Sequence, residues 1–225
     1  KVEDVIFTAG DNWYPNGAQS YYDSCWKPSW GDTAKRIMKV LRPTIGNHDL
    51  DNGFGEAYYG SFGKSAGEKG KGYYAYDLGE WKVFALNSEM VVNPAFSVDS
   101  RRAQEGWLKK ELDGNTKKCT IAIFHRPRFS SGGHGGDLRM AAFWNILHEK
   151  NAVVVISGHD HHYERFEPQT PAGLRDTVRG IVEFLVGTGG AGLTGIRVPV
   201  APNSARRIQG HHGVLKLTLG AGEFQ

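Results

Sequence analysis

The sequence predicts an α/β fold: a sheet system with helices packed against it and its chemistry gathered at strand ends. Three observations carry that expectation. Residues 119–124 and 152–156 are short, apolar runs, the second markedly β-branched, as strands covered on both faces are. Around them, residues 104–112 and 138–150 repeat apolar side chains at helical spacing, so strand and helix alternate. Four of the predicted strands end in Asp, Asn or His, at the edge where open α/β sheets place their chemistry.

Residues 2–9 read as a short strand ending at Gly10-Asp11, followed by residues 12–17, a loop of turn formers. Residues 18–30 are aromatic and irregular. Asp32 or Thr33 caps a short helix through Val40. Residues 43–45 form a brief strand ending at Gly46-Asn47-His48-Asp49. Residues 51–72 are Gly-rich loop, with a short helix near Ala57. Residues 73–78 and 81–86 make a hairpin closed by Gly79-Glu80. Helix 104–112 sets Trp107, Leu108 and Leu112 on one face. Strand 119–124 ends at His125, and residues 134–137 are loop. Helix 138–150 then leads into strand 152–156, which delivers Ser157-Gly158-His159-Asp160-His161. A strand at 180–186 ends in Gly187-Thr188-Gly189-Gly190, and 213–219 is the last strand. With no internal repeat or low-complexity linker, a single domain over 1–225 is expected.

Composition excludes several classes. The chain of 225 residues is 40% hydrophobic and 23% charged, which supplies a core and argues against disorder. Its formal charge is +3 and no basic run exceeds two residues, so nothing marks a nucleic-acid surface. No apolar stretch approaches the roughly 18–20 residues that span a bilayer. Cys25 and Cys119 allow one disulfide, and spacing leaves open whether they meet.

His159 and His161 alone would be a modest sign of metal. Joined by Asp11, Asn47 and His125 at other strand ends, they form a set that suits borderline divalent ions. A carboxylate can bridge two ions, imidazoles saturate each, and a neutral amide oxygen limits the negative charge. Two ions about 3.5–4 Å apart would clamp a phosphoryl group.

Taken in order, Gly10-Asp11-x-x-Tyr14, Gly46-Asn47-His48-Asp49, His125 and Gly158-His159-x-His161 resemble the calcineurin-like metallophosphoesterases. Tyr14 and the continuation Tyr163-Glu164-Arg165 resemble their purple acid phosphatase-like branch, and residues 126–132 with 187–190 its smaller bacterial secreted type. The resemblance implies a layered α/β/β/α sandwich of two mixed sheets flanked by helices. It also implies hydrolysis of phosphate monoesters by a metal-bound hydroxide at a dinuclear centre, with phosphodiesters or nucleotides as the alternative. Asp11 would bridge the ions. Tyr14 and His161 would bind the first, ferric in such proteins. Asn47, His125 and His159 would complete the second, which is iron, zinc or manganese. His48 would contact the phosphate or protonate the leaving group, and His134 matches a second-sphere histidine. Arg126 and Arg128 are candidate phosphate ligands, a task suited to guanidinium. The implied partner is a small phosphate ester, and the implied location is secreted or periplasmic.

One departure stands out. The family's earlier Asp-x-Gly or Asp-x-His motif does not occur before Gly10-Asp11, and Glu3 and Asp4 lie at the wrong end of the strand to replace it. The chain reads as trimmed at both ends. The first metal is expected to be the weaker, and a metal- and phosphate-binding module without turnover is the alternative. Among other histidines, His148 suits a helix C-terminus, His162 belongs to a loop or outer layer, and His211 and His212 to the surface. Trp13, Tyr14, Tyr21, Tyr22, Trp26 and Trp30 read as a satellite core rather than a cleft wall, and residues 187–192 as a turn at the rim.

Overall fold

The computed structural model describes residues 4–31, 37–51 and 53–225. Nine strands lie among them: β1 (Ile6–Phe7), β2 (Leu41–Arg42), β3 (Tyr74–Leu78), β4 (Trp81–Ala85), β5 (Cys119–Ile123), β6 (Val154–Ser157), β7 (Tyr163–Phe166), β8 (Val182–Val186) and β9 (Ser204–Ile208). Seven form one mixed sheet in the order β3-β4-β5-β6-β8-β7-β9. Its middle strands β4, β5, β6 and β8 are parallel, while β3, β7 and β9 pair antiparallel at the flanks. The apolar runs explain the middle: every residue of β5 and β6 is buried.

Alternation along these strands makes two cores. Phe84, Ala122 and Val155 point to one face, against Leu108 and Leu112 of the helix Val98–Asp113 and Phe143, Trp144 and Leu147 of the helix Ala141–Glu149. Val83, Ile121, Ile123, Val154, Ile156 and Phe184 point to the other, under Phe7 of β1 and Leu215, Leu217, Leu219 and Phe224. Each fully buried side chain of this kind contributes roughly 1.5–3 kcal/mol. The second sheet is a parallel pair, β1 beside β2, with Ile6 opposite Leu41. The layered α/β architecture is as expected, with the second layer smaller and parallel rather than mixed.

A third core gathers Tyr22, Trp26, Leu41, Ile45, Tyr58, Tyr59 and Phe62. Its rings meet edge to face, Trp26 and Phe62 at 5.0 Å between centroids. The satellite-core reading therefore holds for Tyr22 and Trp26, with Trp13 packed beside them, while Trp30 is 42% exposed.

Several boundaries differ from expectation. The strand expected at 43–45 forms two residues earlier as β2 and ends before Pro43, which has no N–H to give a ladder. The cap expected at Asp32 or Thr33 lies outside the described residues; the helix Ile37–Val40 is present. Residues 213–219 are not a strand of the sheet. Their alternate leucines lie on the sheet face, and the backbone pairs locally, Thr218 with Gln225 and Leu219 with Phe224. Strands β7 and β9 were not anticipated. Cys25 is exposed and Cys119 buried, both as free thiols. Among the described residues, no helix is long and apolar enough to cross a membrane.

Candidate metal centre

The parallel strands bring their carboxyl ends to one edge, and the two small strands open there as well. His125 directly follows Phe124 after β5, and His159 follows Ser157-Gly158 at the end of β6. Asp11 leaves β1 through Gly10, and Asn47 opens the short helix Asn47–Leu50 beyond β2. Asp11 (φ 50°) and His159 (φ 68°) both sit in the left-handed region, uncommon for residues with a side chain and typical of functional positions. Two glycines make the approach possible. A Cβ on Gly10 would enter the His125 ring, and one on Gly46 would meet the Asp11 carboxylate.

His125 is the centre of the cluster. Its Nδ1 lies 2.8 Å from the Ala9 carbonyl, which can only accept, so a neutral ring carries its proton there and turns Nε2 inward. Around Nε2 stand Asn47 Oδ1 at 3.0 Å, His159 Nδ1 at 3.1 Å and Asp11 Oδ2 at 3.2 Å. Asp11, His125 and His159 are a trio whose ligand atoms lie within 4.8 Å of one another. The Asn47 and Asp11 oxygens are two acceptors facing one ring nitrogen, more than a single proton there satisfies well, and a cation would satisfy them together. This donor set, two imidazoles, a carboxylate and an amide oxygen, fits a borderline divalent metal.

A second group shares Asp11. The Tyr14 hydroxyl donates to Asp11 Oδ2 at 2.9 Å and lies 3.0 Å from His161 Nε2. His161 Nδ1 faces the Gly192 carbonyl at 2.6 Å, which likewise directs Nε2 to the site. Residues 187–192 thus do border the rim. Tyr14, Asp11 and His161 thus bring a phenol, a carboxylate and an imidazole together, and Asp11 is common to both groups.

Electrostatics prepare the donors. Burial works against the Asp11 carboxylate, but the charge and hydrogen bond of His125, with the His48 N–H at 2.9 Å, hold it ionised well below the usual range. Burial also pushes His125 down, yet Asp11 beside it brings it up to about 9. Burial and the charges of His125, Arg126 and His134 push His159 down to about 2, so it stays neutral, the form a ligand needs. Burial and Asp11 raise the Tyr14 hydroxyl well above its usual value, so only a strong Lewis acid would ionise it.

The remaining predicted residues divide. His48 lies tilted against Tyr14 with ring centroids 4.5 Å apart, its Nδ1 held at 2.6 Å from the Pro15 carbonyl. His134 lies over His159 at 4.4 Å between rings. Arg126 reaches the cluster: its Nη1 is 3.1 Å from His159 Nε2, while Nε and Nη2 grip the buried Glu89 at 2.9 and 3.0 Å. Arg128 does not reach it. Its Nη2 bonds the Pro171 carbonyl and its guanidinium lies over Phe129, so it is a packing residue rather than a phosphate ligand.

Buried acids support these loops beyond the donors themselves. Asp49 accepts from Asn12 N and Nδ2, Tyr22 Oη and Gly46 N, each at 2.9–3.0 Å, and so ties both metal loops together. Glu89 holds Arg126. Asp160 and Glu183 bind the loop after His125. Glu183, inside the apolar strand β8, did carry a signal: a charge at a position that alternation turns inward.

A layered α/β domain with Asp, Asn, Tyr and His donors at its strand ends defines a metal-dependent phosphoesterase class. Residues 1–163 match the model of the calcineurin-like phosphoesterase family, and the chain belongs to that family. It is 27% identical over 203 residues to purple acid phosphatase 18 of Arabidopsis thaliana, covering 83% of this chain and 43% of that one. An uncharacterised protein of Mycobacterium tuberculosis is 27% identical over 219 residues, covering 80% of this chain and 41% of its own. The purple acid phosphatase PPD1 from yellow lupin seeds shares the fold at a TM-score of 0.69 and 18% identity, over 92% of this chain and 41% of that one. These relatives support the purple acid phosphatase-like branch. The chain spans less than half the length of the curated relatives named here.

Proposed function

We propose that the chain hydrolyses phosphate monoesters at a two-metal centre built on Asp11. The observation that most supports this is the convergence of Asp11, Asn47 and His159 on His125 Nε2, with Tyr14 and His161 sharing the same carboxylate. Asn47, His125 and His159 would hold one ion, Tyr14 and His161 the other, and Asp11 both. The pair would be iron with zinc, manganese or iron. Such ions supply Lewis acidity and a nucleophile at near-neutral pH.

The chain's own residues do the rest. The His48 backbone is bonded to Asp11, so its imidazole stands at the rim beside Tyr14, where it meets the phosphate or gives a proton to the leaving oxygen. His134 serves from the other side, over His159. Arg126, held by Glu89 with Nη1 beside His159, would be the arginine that meets a phosphate oxygen. The partner is a small phosphate ester, and export from the cytoplasm is proposed on the family resemblance.

The test combines metal analysis with turnover. Iron, zinc and manganese are measured, then p-nitrophenyl phosphate and bis(p-nitrophenyl) phosphate are assayed from acid to alkaline pH. The expected outcome is two metals, preference for the monoester, and a kcat about a hundredfold lower in His48→Ala at unchanged metal content. Preference for the diester would move the substrate class. Full metal loading without turnover of either ester would overturn the proposal and leave a binding module.

A further inference from the structure

The loop from Arg126 to Gly136 joins the metal residue His125 to His134, yet it contains no helix or strand. Five of its backbone N–H groups go to three acidic side chains, Glu183, Glu164 and Asp160, each 0% exposed. Glu183 accepts the N–H groups of Arg128 and Phe129, both at 3.1 Å. Glu164 accepts Ser131 N at 2.8 Å and Ser131 Oγ at 2.6 Å. Asp160 accepts His134 N at 2.8 Å, Gly135 N at 3.1 Å and Ser130 Oγ at 2.5 Å. A carboxyl group taken out of water must be matched by hydrogen-bond partners, and these loop groups supply them. The loop thus forms around two acids of the sheet, Glu164 and Glu183, and around Asp160 in the turn after β6.

The Asp160 bonds matter most for the site. The His134 side chain projects from an exposed residue, so what fixes its ring over His159 is its backbone. That backbone is bonded to a residue lying between His159 and His161. The same three residues therefore supply a donor to each metal group and the anchor for His134. Gly132 packs so closely that a Cβ there would enter the Asp160 carboxylate, which leaves the loop one way to sit.

We propose that Asp160 is a positioning residue for phosphate hydrolysis: its buried carboxylate holds the His134 backbone and thereby sets the imidazole against the metal cluster. This rests on the reading that gives His134 a part in the reaction. Preorganisation of this kind matters because misplacing a reacting group by about 1 Å can cost a hundredfold in rate.

The test is a double-mutant cycle on the metal-loaded chain with p-nitrophenyl phosphate, using Asp160→Asn, His134→Ala and the double variant. Asparagine keeps the size and one acceptor oxygen but cannot accept at both positions. Metal content and amide hydrogen exchange over residues 130–136 are measured for each. The expected result is a kcat about ten- to a hundredfold lower in D160N, with KM and metal content little changed. Exchange over residues 130–136 rises, and D160N has no further effect in the H134A background. Losses that multiply in the double variant, or loss of metal in D160N, would overturn the proposal. Full activity in H134A would instead defeat the role given to His134; the exchange data then stand alone, and unchanged protection would overturn the anchoring. If D160N does not fold, Ser130→Ala removes one of the same bonds and is expected to give a smaller effect of the same kind; no change in exchange or kcat in S130A would count against the proposal.

Discussion

His125 shows how one residue sets the behaviour of the site. Burial disfavours its charge, but Asp11 at 3.2 Å keeps a proton on it up to about 9. A ligand imidazole must be neutral, so a metal entering at pH 7 must expel that proton. Metal affinity is therefore expected to rise with pH until about 9, and uptake at pH 7 to release close to one proton. Calorimetry in two buffers of different ionisation enthalpy measures this; equal apparent heats would show that His125 was already neutral. At this scale the sequence was most legible for the donors, because Asp11, Asn47, His125, His159 and His161 are chemically distinctive and follow recognisable strands. Asp49 and Asp160 were in plain view inside the same motifs, yet their work is to accept backbone N–H groups from distant loops. Nothing in a linear pattern says which loop will fold over a given acid.

At the scale of elements, the buried strands were legible and the polar ones were not. Strands β5 and β6 are largely apolar, whereas β7 (Tyr-Glu-Arg-Phe) and β9 (Ser-Ala-Arg-Arg-Ile) carry no apolar run that marks a strand. They are strands because β7 pairs with β8 and then gives β9 an edge. The leucines at 215, 217 and 219 misled in the opposite sense, since alternation reports a covered face and not a ladder partner. Strand β8 yields a pH prediction. Burial lifts Glu183 to about 8, although Ser157 and the Arg128 and Phe129 N–H groups pull it down. Below the ordinary carboxylate range both folded and unfolded chains hold this proton, and the group has no pH effect. Between about pH 5 and about pH 8 only the unfolded chain ionises, so stability falls across that window. Glu183→Gln is expected to flatten this part of the melting-temperature profile, measured at constant metal loading; parallel profiles would rule the group out. A separate substitution probes the turn after β1. Gly10 has φ 89° and no room for a Cβ beside His125, so Gly10→Ala is expected to lower metal affinity at least about tenfold. Equilibrium dialysis against zinc reads the change.

For the whole molecule, the two donor groups that share Asp11, each one half of the proposed centre, are supported unequally. One half is backed by the seven-stranded sheet: His125 and His159 extend adjacent parallel strands, and Arg126, held by Glu89, stands against His159. The other half hangs on loops. Tyr14 lies in the segment after β1, and His161 is steadied by Gly192 and Thr194 from the rim. Within the described residues it gathers Asp11, Tyr14 and His161, and the Asp11 carboxylate is already committed to His125 and to the His48 N–H. Fewer donors on less rigid supports give weaker retention, because ordering the loops costs free energy that each bound ion must offset. The ion beside Tyr14 is therefore expected to leave first. In a chelator titration of iron-loaded protein, a visible tyrosinate-to-iron band should fade before the second equivalent of metal is lost, with the remaining metal still protecting the β5 and β6 ends from hydrogen exchange. Tyr14→Phe should abolish the band and leave one equivalent bound. Simultaneous loss of both ions at every chelator concentration would mean that the Asp11 bridge, and not the sheet, governs retention, and that the two halves behave as one site.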